Sequence, residues 1–136
     1  MVRLIDHTAD FGIELEAGSA RELFETAATA LFGLLVHGPE AQAPHTVTIN
    51  VRGQDWADLM VNWLRELLYL WSAEQLRLVE IEISKLNGNQ LMANLGLQPF
   101  DSATDRIEQE IKAVTYHQIS VTEKSGRWRA RVIFDV

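Results

Sequence analysis

The sequence contains no cysteine, which excludes disulfides, thiolate catalysis, zinc ribbons and iron–sulfur ligation. Any metal must then be held by oxygen or by histidine nitrogen. Proline is scarce: Pro39, Pro44 and Pro99 are scattered rather than gathered into a linker, and no internal repeat or low-complexity tract is present. No stretch approaches the ~20 consecutive apolar residues needed to cross a bilayer. The opening Met-Val-Arg-Leu-Ile-Asp-His has no apolar h-region of the signal-peptide type, so a cytoplasmic protein with no membrane partner is expected. Positive charge is also short. Twelve Lys and Arg stand against 19 Asp and Glu, a formal charge of −7, so nonspecific attraction to phosphate backbones is not what the whole molecule is built for, although a local basic patch remains open. A Gly-rich phosphate loop, a serine-nucleophile elbow and a His-x-x-x-His pair are all missing, and no catalytic residue is assigned. What is present is an ordinary globular composition, 47% apolar and 23% charged over 136 residues, the size of a single domain spanning 1–136.

Two helices stand out. Ser19 followed three residues later by Glu22 forms a capping-box pair, each side chain able to satisfy a free amide at a helix start. From about Arg21 to Val36, Leu23, Phe24, Ala27, Ala28, Leu31 and Leu35 then fall on one apolar stripe that ends at Gly38-Pro39. Asp55 can cap a second helix, with Trp56, Met60, Trp63, Leu67, Leu70 and Trp71 on one side and Asp58, Asn62, Arg65 and Glu66 largely off it. The tryptophans at this spacing belong to the core.

Period-two alternation marks the strands, because successive side chains point to opposite faces. Val47, Ile49 and Val51 form one inward set; Val79, Ile81 and Ile83 another; Leu91, Ala93, Leu95 and Leu97 a third. Asn87-Gly88 predicts a tight hairpin with positive φ at both central residues. Ile111, Ala113, Thr115, His117, Ile119 and Val121 make a further series, returning through Ser125-Gly126 into Trp128, Ala130, Val132 and Phe134. Ile13, Leu15 and Ala17 mark a short early strand. The expected fold class is α+β, two amphipathic helices packed on one side of a mostly antiparallel or mixed sheet. The stretch 98–110, with Asp101, Asp105, Glu108 and Glu110, has no clean period and is expected to be a solvated acidic loop.

Several constellations could carry chemistry. Asp6, His7, Thr8 and Asp10 crowd four polar residues into five positions just before a strand, where ligand-binding loops occur, though Asp and Thr are also ordinary turn residues. On the last strand Arg127, Arg129, Arg131, Ile133 and Asp135 share the face opposite the core. Beside Asp135 the α-carboxylate of Val136 adds a second negative group, and two carboxylates so close repel unless a cation or proton joins them; simple hydration of both is the alternative. The three arginines could meet phosphate or RNA, or pair with glutamates of a neighbouring strand such as Glu80 or Glu82. Pairing is favoured, because no aromatic residue is interleaved to stack a base. Lys112, Tyr116 and His117 invite an acid–base reading, but on a strand Lys112 and Tyr116 face away from His117.

Taken together, His7-Thr8-Ala9-Asp10-Phe11-Gly12-Ile13, the helix Glu22-Leu23-Phe24…Ala27-Ala28…Ala30-Leu31-Phe32, Trp63-Leu64-Arg65-Glu66-Leu67-Leu68-Tyr69-Leu70, Lys112-Ala113-Val114-Thr115-Tyr116-His117 and the closing Arg131-Val132-Ile133-Phe134-Asp135-Val136 resemble the archease family. The resemblance runs in order over nearly the whole chain. It implies a small α+β protein that is not an enzyme but a partner of the RNA-splicing ligase (RtcB type), which joins 2′,3′-cyclic or 3′-phosphate ends to 5′-hydroxyl ends. Archease-like proteins promote guanylylation of that ligase and its multiple turnover. The resemblance further implies a divalent metal site at Asp10, Asp135 and Val136, with calcium the ion in crystals, and this donor set suits Ca²⁺, Mg²⁺ or Mn²⁺. Phe11 departs from the family's more usual aliphatic residue, a change of bulk rather than of ligand chemistry. Sequence-specific nucleic-acid binding is not expected. A metal-dependent phosphoesterase using the same carboxylates is the competing reading, and a plain oligomeric scaffold a third.

Overall fold

The computed structural model describes residues 1–6, 11–40 and 43–136. In chain order the elements are β1 (Val2–Asp6), β2 (Phe11–Ala17), α1 (Ala20–Leu35), β3 (Val36–His37), β4 (His45–Arg52), α2 (Trp56–Ser72), β5 (Leu76–Asn87), β6 (Gln90–Pro99), β7 (Arg106–Ile107), β8 (Ala113–Val114), β9 (Ser120–Lys124) and β10 (Arg127–Asp135). The α+β expectation holds. The strands form separate antiparallel sheets: β1-β2-β10-β8 with β9 also on β10, β4-β6-β5, and a two-stranded β3-β7. Both helices touch strands of both larger sheets, which is why their buried faces are wide.

Both helices begin as their caps predict. The Glu22 amide donates to Ser19 Oγ at 3.1 Å, and the Asp58 amide to Asp55 Oδ1 at 2.8 Å. A single cluster joins Leu23, Phe24 and Leu31 of α1, Met60, Trp63 and Leu67 of α2, Leu91, Ala93 and Leu95 of β6, and Ile13, Val132 and Phe134 of β2 and β10. Trp63 is fully buried, and its indole N–H donates to Phe24 O at 2.9 Å, so the one polar atom of the largest core side chain is satisfied. Trp56 and Trp71 are only partly buried. Trp56 lies between Phe24, tilted against it, and Trp128, edge-on, and Trp71 meets Phe100 edge-on.

The structure corrects four local expectations. Val79 is not part of the inward set, because register shifts between Leu78 and Glu80 and between Ile83 and Lys85 bring Leu78, Ile81, Ile83 and Leu86 opposite Leu97, Leu95, Ala93 and Leu91. An extra residue at each bulge shifts the strand's parity. The β5-β6 hairpin turns at Gly88-Asn89 rather than Asn87-Gly88, since Asn87 pairs with Gln90 and Asn87 Oδ1 accepts from the Asn89 amide at 2.9 Å. Neither Asn87 nor Gly88 has positive φ; that geometry belongs to the second hairpin, at Ser125 (φ 53°) and Gly126 (φ 79°).

The long strand expected from Ile111 to Val121 is broken into β8 and β9. Thr115 adds its hydroxyl to its own amide on Ile133 O, at 2.8 and 3.1 Å, while the hydroxyl accepts from the His117 amide at 3.2 Å, and Gln118 takes φ 52°. A side chain that bonds its own neighbourhood ends the alternation.

The 98–110 stretch is also not simply a solvated loop. Arg106 and Ile107 form β7 against β3, and Asp105 is buried. Its carboxylate meets Arg77 at 3.2 Å and accepts the Asp101 amide at 3.0 Å, while Arg77 donates to Pro39 O and Gly38 O at 2.7 and 2.5 Å. Any Cβ at Gly38 would lie 2.0 Å from Asp105 Oδ1, so only glycine allows the chain this close.

Candidate functional site

Of the site expected at Asp10, Asp135 and Val136, the described part is the end of β10. Alternation on β10 sends Ala130, Val132 and Phe134 into the core, and Asp135, one residue beyond Phe134, is exposed; Ile133, expected on the outer face with Asp135, is instead buried. Asp135 pairs with Ala113 of β8, and its carbonyl accepts from the Lys112 amide at 2.7 Å. Among the described residues its carboxylate has no hydrogen-bond or ion-pair partner, and Val136 beside it is 42% exposed. Asp10 lies outside the described residues, as do His7, Thr8 and Ala9. The residues that bracket that motif are described: Asp6 stands opposite Phe11, and Phe11 stands opposite Phe134. Among the described residues no group of three His, Cys, Asp or Glu side chains could hold a metal ion.

Next to β8 lies a polar cluster that alternation did not reveal. Tyr116 donates its phenol to Asp58 Oδ1 at 2.6 Å, the Gln54 amide donates to Asp58 Oδ2 at 2.9 Å, and the Arg65 guanidinium lies 4.7 Å from the Tyr116 ring centre while its Nε donates to Val114 O at 3.1 Å. The Tyr116 hydrogen bond, helped by the Gln54 amide, holds the Asp58 carboxyl below the usual carboxylate range. The same bond to Asp58, together with partial burial, pushes the Tyr116 phenol above its usual value. Charged carboxylate and protonated phenol are thus locked together, an arrangement that braces the 116–119 turn and offers no general base. The sequence signal was available: Asp58 and Arg65 are seven residues apart on the polar side of α2, two turns on one face. Because the chain turns at 116–119, where the Ile119 amide donates to Tyr116 O at 3.2 Å, the opposition of Lys112 and Tyr116 to His117 expected from a continuous strand does not apply.

The arginine stripe pairs with glutamates, as expected, but not with Glu80 or Glu82, which lie on β5 in the other large sheet. Glu14 and Glu16 of β2 stand directly opposite Arg131 and Arg129, and Glu14 also stands opposite Arg3 of β1. Glu14 bonds Arg131 at 2.5 Å and also Arg3; Glu16 takes Arg127 at 2.9 Å and lies 3.7 Å from Arg129. These bonds, to Arg131 and to Arg127 respectively, hold both carboxyls below their ordinary range despite some desolvation.

Comparison with known proteins fits this architecture. A model of the Archease protein family matches residues 3–136. Protein archease of Methanosarcina barkeri is 31% identical over 136 residues, covering 97% of this chain and 93% of that protein. Protein archease of Pyrococcus abyssi is 33% identical over 135 residues, covering 96% and 95%. The solution structure of Methanobacterium thermoautotrophicum protein 1598 superposes with a TM-score of 0.73 at 28% identity, covering 99% of this chain and 98% of the other. The crystal structure of a Thermotoga maritima archease, described as a possible chaperone, gives a TM-score of 0.65 at 22% identity, covering 97% and 94%, and bears on the fold alone. Fold and sequence define a class of small α+β proteins whose two helices are packed against antiparallel sheets. The chain belongs to the archease family.

Proposed function

We propose that this protein is an accessory factor of an RNA-splicing ligase that joins 3′-phosphate or 2′,3′-cyclic phosphate ends to 5′-hydroxyl ends, and that it promotes guanylylation and repeated turnover of that ligase. The working group is the carboxylates of Asp10 and Asp135 with the α-carboxylate of Val136. What supports the reading is that Phe11, the first described residue after the His7–Asp10 motif, pairs with Phe134, the residue before Asp135, and that among the described residues the exposed Asp135 carboxylate has no hydrogen-bond or ion-pair partner. The donor set consists entirely of hard oxygens, which suits Ca²⁺, Mg²⁺ or Mn²⁺. A divalent ion held there would neutralise phosphate charge during nucleotidyl transfer. The protein's own contribution is to present the exposed Asp135 side chain and Val136 at the end of β10, where a partner's nucleotide can reach them.

Single-turnover guanylylation of the cognate ligase tests this. Asp10→Ala and Asp135→Ala should each lose most of the acceleration that the wild-type protein gives, with the folded state intact by circular dichroism. Equal rates for wild type and both variants would refute the assignment.

A further inference from the structure

We propose that the outer face of the sheet formed by β1, β2, β10 and β9 binds the sugar–phosphate backbone of single-stranded RNA. The proposal deepens the accessory role and takes its biological sense from it, but the binding itself is measurable without any ligase.

The argument begins with register. Arg3, Glu14, Arg131 and Ser120 stand in one row across the four strands; Glu16, Arg129 and Thr122 stand in the next; Arg127 and Lys124 form the third. All lie on the side away from the core. Within these three rows five cationic side chains stand with two carboxylates, and three positive charges remain over. They remain in a protein whose formal charge is −7, so the face is a local positive field against an acidic body.

The glutamates do not quench it. Glu14 is divided between Arg3 and Arg131, and Glu16 between Arg127 and Arg129. Arg129 is the loosest, with its nearest carboxylate oxygen 3.7 Å away and its side chain 70% exposed. Between these residues lies an open cleft of about 380 Å³ floored by Leu15 and Ala130 and edged by Ser120 and Thr122.

The chemistry favours a phosphate backbone over an acidic protein surface. Arg127, Arg129 and Arg131 follow one another at two-residue intervals, about 7 Å apart along the strand, a straight row that tracks one chain of phosphates. Guanidinium forks bind phosphate oxygens in pairs, and serine and threonine hydroxyls add neutral contacts. A protein partner would need an apolar or aromatic centre to anchor on, whereas the exposed large apolar side chains lie elsewhere apart from Met1 at the margin. Without an aromatic platform the bases are not stacked, so recognition is independent of sequence. Asp135 shares the odd-numbered face of β10 and lies four residues beyond Arg131, about 14 Å along the strand. Between the two, Ile133 is buried, so the arginine row is a surface separate from the carboxylates proposed above.

Fluorescence anisotropy of a labelled single-stranded oligoribonucleotide with the full chain, over a range of salt, tests this. With three uncompensated charges at about 0.7 counterion each, the slope of log K against log salt should be about −2.1, an 18-fold loss, roughly, between about 50 and 200 mM. Arg129→Ala should reduce the slope to about −1.4 and that loss to roughly sevenfold, and Arg129→Ala with Lys124→Ala to about threefold. Glu14→Gln should tighten binding and steepen the slope, an outcome that a merely structural role would not give. Arg106→Ala, on β7, should match wild type. No binding at the lowest salt, identical slopes for all variants, or a polyglutamate peptide competing as well as RNA of equal length would each overturn the proposal. If Asp135→Ala left guanylylation untouched while RNA binding followed the arginines, the accessory role would fall and this surface would stand.

Discussion

Replacing Asp105 with alanine is expected to destabilise the protein by about 3–5 kcal/mol, the cost of leaving a buried charge without its partner. The Asp105 side chain is 0% exposed and that of Arg77 8%. Arg77 is held under the 38–39 chain by the carbonyls of Gly38 and Pro39, so it cannot swing out to water without tearing that chain from the sheet. The substitution also strips the Asp101 amide of its acceptor. Against a total stability of about 5–15 kcal/mol the loss is large. At a urea dependence of about 2 kcal/mol/M the unfolding midpoint should fall by about 2 M. Trp71, edge-on to Phe100 at 5.6 Å, is a fluorescent reporter close to the affected loop. Asp105→Asn keeps the volume and an acceptor and should cost less, about 1–3 kcal/mol. Combining Arg77→Met with Asp105→Leu should cost less than the two single changes added, because no unpaired charge is left behind. An Asp105→Ala variant within about 1 kcal/mol of wild type, or strict additivity in the double variant, would refute the reasoning.

Trp63→Phe should cost about 2–3 kcal/mol in urea unfolding, from the cavity in a fully buried site and the lost bond to Phe24 O. Gly12→Ala should cost about 1–3 kcal/mol and lower the thermal midpoint, because the new Cβ would lie 2.4 Å from Val132 O, a backbone atom of the paired strand; an unchanged midpoint would mean the two strands can part freely. In the wild type minus Tyr116→Phe difference, phenolate absorbance should rise with a midpoint above about 10, and Asp58→Asn should bring it back toward that value. The signs follow: the depressed Asp58 contributes stability above the unfolded carboxylate value, lost as pH falls through its folded value, and the raised Tyr116 contributes stability lost as pH climbs through its own. Identical acid and alkaline stability profiles for wild type and Tyr116→Phe would contradict this.

What could be read in the sequence was whatever periodicity alone decides. Both helices, their caps and the inward sets of β2, β6 and β10 follow from burial at spacings of 3.6 and 2; on β4 only Ile49 and Val51 meet the core, and Val47, expected with them, is exposed because the strand's first half runs beyond it. The reading failed where a local bond outranks alternation. Thr115 folds its hydroxyl back on the strand and breaks one expected element into two; bulges in β5 replace Val79 by Leu78 and Leu86. Asp105 looked like a solvated acid because its partner, Arg77, is 28 residues away and is brought to it only by tertiary folding. The glutamates that meet the arginine stripe were in plain sight as the even positions of β2, but deciding between Glu14 and Glu80 requires knowing which strand lies next to β10, and pairing is not encoded in either strand's own pattern.

That pairing ties the core to the proposed sites. Because side chains alternate, a slip of one residue between β2 and β10 would exchange Ala130, Val132 and Phe134 for Arg129, Arg131 and Ile133, driving guanidinium groups into the apolar cluster and lifting aromatic surface into water. Each misplaced charge would cost several kcal/mol, so the register is fixed far more firmly than any single cross-strand ion pair, worth about 0–1 kcal/mol at the surface, could fix it. The ion pairs between β2 and β10 are therefore a consequence of register rather than its cause, and they can be rearranged by a ligand at small cost. Asp135 is exposed one residue beyond the buried Phe134. A substitution that loosens the inner face, such as Val132→Thr, should then weaken ligase activation in proportion to lost strand order, even though it touches no proposed ligand.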